Sequence, residues 1–206
     1  MMLLLLSISG GMGGFSYFSV GYDAQTLNQA FAGKIEGFPS SGWGSGGGGF
    51  AIINNFLIGG FGFGSSMHAE GDSLFAEVSC GGGFFEVGYI YPFWKLFGMV
   101  ELGIGGIGTS IFMHEPLGDA SFDEVLDDPG RTTRISAGGI GFMGGAGLIV
   151  KLSPFCFLSL RGMYTYSPSQ PDWRFEDGSN CTGGPDMNPS SWVLSVGIMF
   201  GGVGEE

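Results

Sequence analysis

Eight apolar, glycine-rich segments run through this chain, and the connections between them alternate in length. The segments fall near residues 14–22, 45–54, 56–66, 74–91, 97–113, 134–152, 155–166 and 191–200. Three connections are short: Asn54-Asn55, Pro92-Phe93-Trp94-Lys95 and Ser153-Pro154. The other four, 23–44, 67–73, 114–133 and 167–190, are longer. Paired Asn residues and Pro-containing stretches suit tight hairpin turns. An up-and-down sheet then has every long loop at one end and every tight turn at the other. An even strand count leaves both termini at the tight-turn end. The pattern predicts an all-β fold, an up-and-down antiparallel β-barrel of about eight strands.

Alternation inside the segments agrees. In the last, Trp192, Leu194, Val196, Ile198 and Phe200 share one face, and Val193, Ser195, Gly197 and Met199 the other. Leu158, Leu160, Tyr164 and Tyr166 oppose Phe157, Ser159, Arg161 and Met163 in the seventh. Val100, Leu102 and Ile104 oppose Glu101, Gly103 and Gly105 in the fifth. One face is expected to be bulky and apolar, the other small with an occasional charge. That period of two suits lipid outside and a tight lumen inside. A water-soluble barrel would carry its charges on the outer face instead.

Gly accounts for 43 of 206 residues and Phe for 20, which disfavours helices but suits crowded strands. Such strands with open edges would aggregate, so closure into a ring is expected. Tyr17, Tyr22, Tyr89, Tyr91, Phe93, Trp94, Tyr164, Tyr166 and Trp192 lie near strand ends, where interfacial girdles form. The net charge is −12 with only seven Lys and Arg, so nucleic acid is excluded as a partner. Cys80, Cys156 and Cys181 form no C-x-x-C pair, and no metal or cofactor motif is present. Residues 1–13 begin with a short apolar run and are read as the remnant of a truncated signal peptide, leaving 14–206 as one barrel domain.

The stretches GGMGGFSYFSVGYDAQTLNQAF (10–31), SGGGGFAIINNFLIGGFGFG (45–64) and SCGGGFFEVGYIYPFWKLFGMVELGIGGIG (79–108) resemble a group of Gly-rich bacterial proteins with outer-membrane-type β-barrels. The likeness covers about the first half of the chain. It implies the same fold and a cell-envelope location, and brings no activity or site residues with it.

Few residues invite chemistry. Glu86, Glu101, Lys151 and Arg161 fall on the small-residue face and are expected to form a charge network that holds the lumen shut; the alternative, kept open by the space inward glycines leave, is a polar pore or small-ligand site. Residues 23–33 read as a short helix in the first long loop, capped by Asp23, with Leu27, Ala30 and Phe31 as its apolar stripe. It is expected to form a lid on the barrel. The long loops hold Glu115, Asp119, Asp123, Glu124, Asp127, Asp128, Asp172, Glu176, Asp177 and Asp186, an acidic surface open to bridging by divalent cations. Gly103-x-Gly105-x-x-Gly108 matches a dinucleotide fingerprint but lies within a strand with no following helix. His68 and His114 are the chain's two histidines, and His68 with Ser66 and Glu70 or Glu77 is the one candidate hydrolytic set.

The sequence therefore points to a non-enzymatic outer-membrane barrel with a small closed lumen and a structural or surface-interaction role, contacting membrane lipids. Two alternatives stand beside it. One is a soluble β-barrel binding an apolar ligand. The other is a lipid-modifying outer-membrane barrel enzyme.

Overall fold

A computed structural model of the chain describes residues 7–115, 132–168 and 172–205. Its elements are β1 Ile8–Gly21, α1 Ala24–Ala30, β2 Ser41–Ile53, β3 Phe56–Glu70, β4 Phe75–Phe93, β5 Leu96–His114, β6 Thr132–Lys151, β7 Cys156–Tyr166, the two-residue β8 Arg174–Phe175, and β9 Ser191–Glu205. From β1 to β7 each long strand pairs antiparallel with the next. β7 pairs with β9, and β9 with β1, which closes a ring of eight strands. β8 adds to the loop end of β6, where Ile135 faces Phe175.

The tight turns carry the backbone that hairpins require. Asn54 and Asn55 have φ of 51° and 71°, the left-handed values of a two-residue turn whose twist matches the strands. Trp94, at φ 58°, bends the β4–β5 turn.

Several boundaries differ from the sequence pattern. The connection expected over 67–73 is mostly strand, because β3 runs to Glu70 and β4 starts at Phe75. Met67 and Ala69 still point inward and are buried, while His68 and Glu70 point outward and are exposed. Period two continues there, but the outer face has turned polar, so a search for apolar runs stops early. The strict alternation of long and short connections fails at this one point. β1 begins at Ile8, where it pairs with Glu205, so residues 8–13 belong to the sheet. The apolar start at residues 1–6 lies outside the described residues.

The outer face carries a belt. Ile53, Phe56, Ile58, Phe85, Val87, Val100, Leu102, Ile104, Ile140, Phe142, Leu148, Leu160, Leu194 and Val196 are all exposed. Exposed apolar area this continuous is unusual for a water-facing surface. Aromatic rings flank it: Tyr17, Trp43, Tyr164 and Trp192 toward the loops, Phe93, Trp94 and Phe155 toward the turns. The belt ends partway up β3–β6. Beyond Phe85 the outward positions of β4 are Gly83, Gly81, Ser79 and Glu77, and beyond Ile104 those of β5 are Gly106, Gly108 and Ser110. These four strands form a wall that stands past the belt.

The inner face is bulkier than the small-residue expectation. Three apolar layers fill the barrel along its axis. Ile8, Met12, Ile52, Leu57, Ile90 and Phe157 close the turn end. Phe18, Phe61, Phe63, Phe84, Met143 and Met163 fill the middle. Leu27, Phe31, Phe38, Ile111, Trp173 and Met187 close the loop end. Small inward residues cluster instead on β2 and on the middle of β5 and β6. There, neighbouring strands come so close that a Cβ on Gly44 or Gly105 would overlap the carbonyl across from it.

Candidate functional site

The one cluster of buried charge among the described residues lies between the turn-end and middle layers. Glu86 on β4, Glu101 on β5 and Arg161 on β7 are 0%, 3% and 8% exposed. Arg161 Nε donates to Glu101 Oε1 at 3.0 Å, and Nη2 donates to Glu101 Oε2 and, at 2.6 Å, to Glu86 Oε2. The guanidinium carbon lies 4.6 Å from the centre of the Phe61 ring. Buried charge is tolerable only when paired in this way. To reach Glu101, Arg161 must pass β6, and two glycines leave the path open. A Cβ on Gly147 would come within 3.0 Å of Arg161 Cγ, and one on Gly145 within 3.1 Å of Glu101 Oε1.

Of the four charges expected inside the lumen, the structure brings together Glu86, Glu101 and Arg161. It does not bring Lys151 to them. Lys151 is the last residue of β6, half-buried at the turn end, and makes no ion pair among the described residues. Strand parity set its face, but its height put it out of reach. Sequence reasoning also missed Phe61, Gly145 and Gly147, since nothing local marks a residue as the seat or passage for a side chain of another strand.

The lid is built as follows. Asp23 caps α1 by accepting from Thr26 N at 3.1 Å and from Thr26 Oγ1 at 2.7 Å. Asn28 ties the loop back on itself, accepting from Phe38 N at 2.6 Å. Leu27, Phe31 and Phe38 then pack into the loop-end layer beside Trp173, whose Nε1 donates to Pro185 O at 2.8 Å. The first and last long loops therefore share one apolar stopper.

Of the remaining candidates, His68 stands directly opposite Glu77 across β3 and β4. Ser66, His68, Glu70 and Glu77 lie on the outer face of β3 and β4, and no hydrogen bond joins any two of them among the described residues. His68 instead stacks on Phe75, which stacks on His114. Gly103, Gly105 and Gly108 lie inside β5. Glu176 pairs with Arg134 at 3.5 Å on the surface. Asp177 accepts from Ser179 N at 2.8 Å and Ser179 Oγ at 2.6 Å, and these bonds hold its carboxyl below the ordinary value. Asp119, Asp123, Glu124, Asp127 and Asp128 lie outside the described residues. Among the described residues no three His, Cys, Asp or Glu gather as a metal site.

No protein-family model matches the chain, and no curated protein matches it in sequence. Solved structures do match in shape. A major outer membrane protein from Thermus thermophilus aligns at a TM-score of 0.54 with 13% identity, over 92% of this chain and 98% of that one. Ail, the attachment invasion locus protein of Yersinia pestis, aligns at a TM-score of 0.50 with 13% identity, over 95% of this chain and 98% of that one. At such identities the likeness is one of fold, and the fold is that of the small outer-membrane β-barrels.

Proposed function

We propose that this chain is a non-enzymatic protein of a bacterial outer membrane, serving a structural or surface-interaction role with a closed lumen. The observation that carries the reading is the filling of the barrel. Three apolar layers and the Arg161 ion-pair cluster occupy the interior from turns to loops. A barrel of eight strands is just wide enough for side chains to fill, and here they do. The apolar belt supports lipid contact, and the polar wall of β3–β6 beyond it supports exposure at the cell surface.

Ail was solved in complex with sucrose octasulfate, a heparin analogue. A polyanion is a poor ligand for this chain, whose net charge is −12. A soluble barrel with an apolar ligand inside is disfavoured by the same filled lumen.

Reconstitution in a planar bilayer tests the reading. The expected trace is silent, with no unitary conductance steps from inserted protein. Reproducible channel steps would overturn the closed lumen. Solubility as a monomer without detergent would overturn the membrane location.

A further inference from the structure

Charge is divided unevenly between the two ends of this barrel. Glu36, Glu70, Asp72, Asp172, Asp177 and Asp186 lie at the loop end. At the turn end the charged side chains among the described residues are two lysines, Lys95 in the β4–β5 turn and Lys151 at the end of β6. Glu205 ends β9 against β1, across the ring from β4 and β5. Lys151 N donates to Lys95 O at 2.8 Å, which fixes the two lysines on neighbouring turns. Neither ammonium has an ion pair among the described residues. Lys95 Nζ lies 5.1 Å from the centre of the Trp94 ring, and Trp94 is 83% exposed. An indole beside a lysine at the rim of an apolar belt is the arrangement of a membrane–water interface.

An apolar groove opens on the same strands. Leu96, Gly98, Val100 and Leu102 share the outer face of β5. Gly98 stands between Tyr91 on β4 and Leu148 on β6, and a Cβ there would touch nothing within 4 Å. The furrow it leaves leads from the turn to a groove of about 570 Å³ lined by Phe56, Val87, Tyr89, Val100 and Leu102. The Phe56 and Tyr89 rings, edge to face with centres 5.6 Å apart, make one bank. From Lys95 to Val100 the strand climbs about 17 Å at about 3.4 Å per residue, close to the roughly 15 Å depth of one leaflet.

These features match the parts of one molecule. Two ammoniums without a carboxylate attract an anionic headgroup at the interface. A groove within the belt takes hydrocarbon, and its distance from the lysines is that of an acyl chain from its phosphate. We propose that the β4–β6 face of the turn end holds one anionic phospholipid of the turn-side leaflet, its phosphate on Lys95 and Lys151 and one acyl chain in the groove. The inference rests on the proposed membrane location.

The test titrates the full chain in detergent micelles with dioleoylphosphatidylglycerol, with dioleoylphosphatidylethanolamine, and with glycerophosphoglycerol, the headgroup without its chains. Native mass spectrometry counts the bound adducts. A single saturable phosphatidylglycerol is expected, held about fivefold or more tighter than phosphatidylethanolamine. Lys95→Gln and Lys151→Gln should each weaken it about fivefold, the worth of one Lys near an anionic surface. Val100→Trp fills the groove and should weaken it too, with Leu102→Trp in its place if that variant does not fold. Asp177→Asn, at the loop end, should change nothing. Equal binding of the two lipids, binding of the bare headgroup as tight as that of the lipid, or indifference to either the lysine or the groove variants would each overturn the proposal. So would a dimer that the groove variant separates, since a second copy of the chain would then fill the groove. Vesicle flotation keeps the two readings apart. Protein that floats without preferring phosphatidylglycerol sinks this inference alone, and protein that does not float sinks the membrane location.

Discussion

Arg161 on β7 grips Glu101 on β5 with two donors, Nε and Nη2, passing β6 over Gly145 and Gly147. The same Nη2 also holds Glu86. One side chain therefore ties three walls of the barrel together from within. Arg161→Met leaves two buried carboxylates without a partner. We expect a loss of about 3–5 kcal/mol of stability, measured by urea unfolding in detergent micelles. The triple variant Glu86→Gln, Glu101→Gln, Arg161→Met should recover much of that loss, since no charge is then stranded. A single variant as stable as the parent would contradict this role.

Gly145 matters for the space it leaves. Its Cβ would lie 2.7 Å from Met163 Cγ and 3.1 Å from Glu101 Oε1. Gly145→Val should cost about 1–3 kcal/mol through overpacking. Gly83→Val, on the open outer face, should stay near the parent. Equal unfolding midpoints for the two would show that the passage is not constrained.

Asn55, in the β2–β3 turn, ties β1 and β4 together at the turn end. Its side chain accepts from Ile8 N at 2.8 Å and donates to the Tyr89 hydroxyl at 3.2 Å, and its carbonyl accepts from Ile90 N at 2.8 Å. Asn54 shares the left-handed backbone, but its side chain is exposed. Asn54→Gly is expected to be neutral. Asn55→Gly relieves the same backbone strain yet should lose about 1–3 kcal/mol, because the buried Ile8 N–H loses its acceptor. Thermal melts of both variants decide whether φ or hydrogen bonding rules this turn.

The lid is expected to contribute stability without acting as the lumen's only stopper. Leu27 is fully buried in the loop-end layer. Leu27→Ala should cost about 2–5 kcal/mol. It should leave bilayer conductance at background, because the middle and turn-end layers still close the barrel. Channel steps in that variant alone would make α1 the gate.

Acid should loosen the turn at Asp177. Its carboxyl titrates below the ordinary value because the ionised form accepts two bonds from Ser179. A depressed carboxyl stabilises above its unfolded value and loses that contribution as pH falls through its folded one. The Ser179 amide should therefore exchange faster with solvent only at pH below the usual Asp range. Asp177→Asn should abolish that dependence. An amide with the same acid profile in both proteins would remove Asp177 as the cause.

Much of this fold was legible because two signals are local. The parity of Leu158, Leu160, Tyr164 and Tyr166 against Phe157, Ser159, Arg161 and Met163 reads directly as outside and inside. The Asn54-Asn55 pair reads directly as a hairpin. Heights along the barrel were less legible. They depend on how each strand's register adds to the next, so parity alone groups Lys151 with Arg161 by face though it lies at the turn end. The outer face of β3 and β4 changes from apolar to polar at the belt's edge, which hid the strand from Met67 to Glu70. The seat of Arg161 on Phe61 was invisible, because the two residues are far apart in sequence and meet only once the ring has closed.

The central claim is that the belt lies in lipid and the β3–β6 wall stands in water. Spin labels on single cysteines, with Cys80, Cys156 and Cys181 replaced by Ala, read this directly in reconstituted vesicles. Labels at Leu102, Ile104 and Val196 should be relaxed by oxygen and shielded from a water-soluble nickel chelate. Labels at Ser66, Ser110 and Ser136 should show the reverse. Ready access of the chelate to Leu102, Ile104 and Val196 would contradict the account.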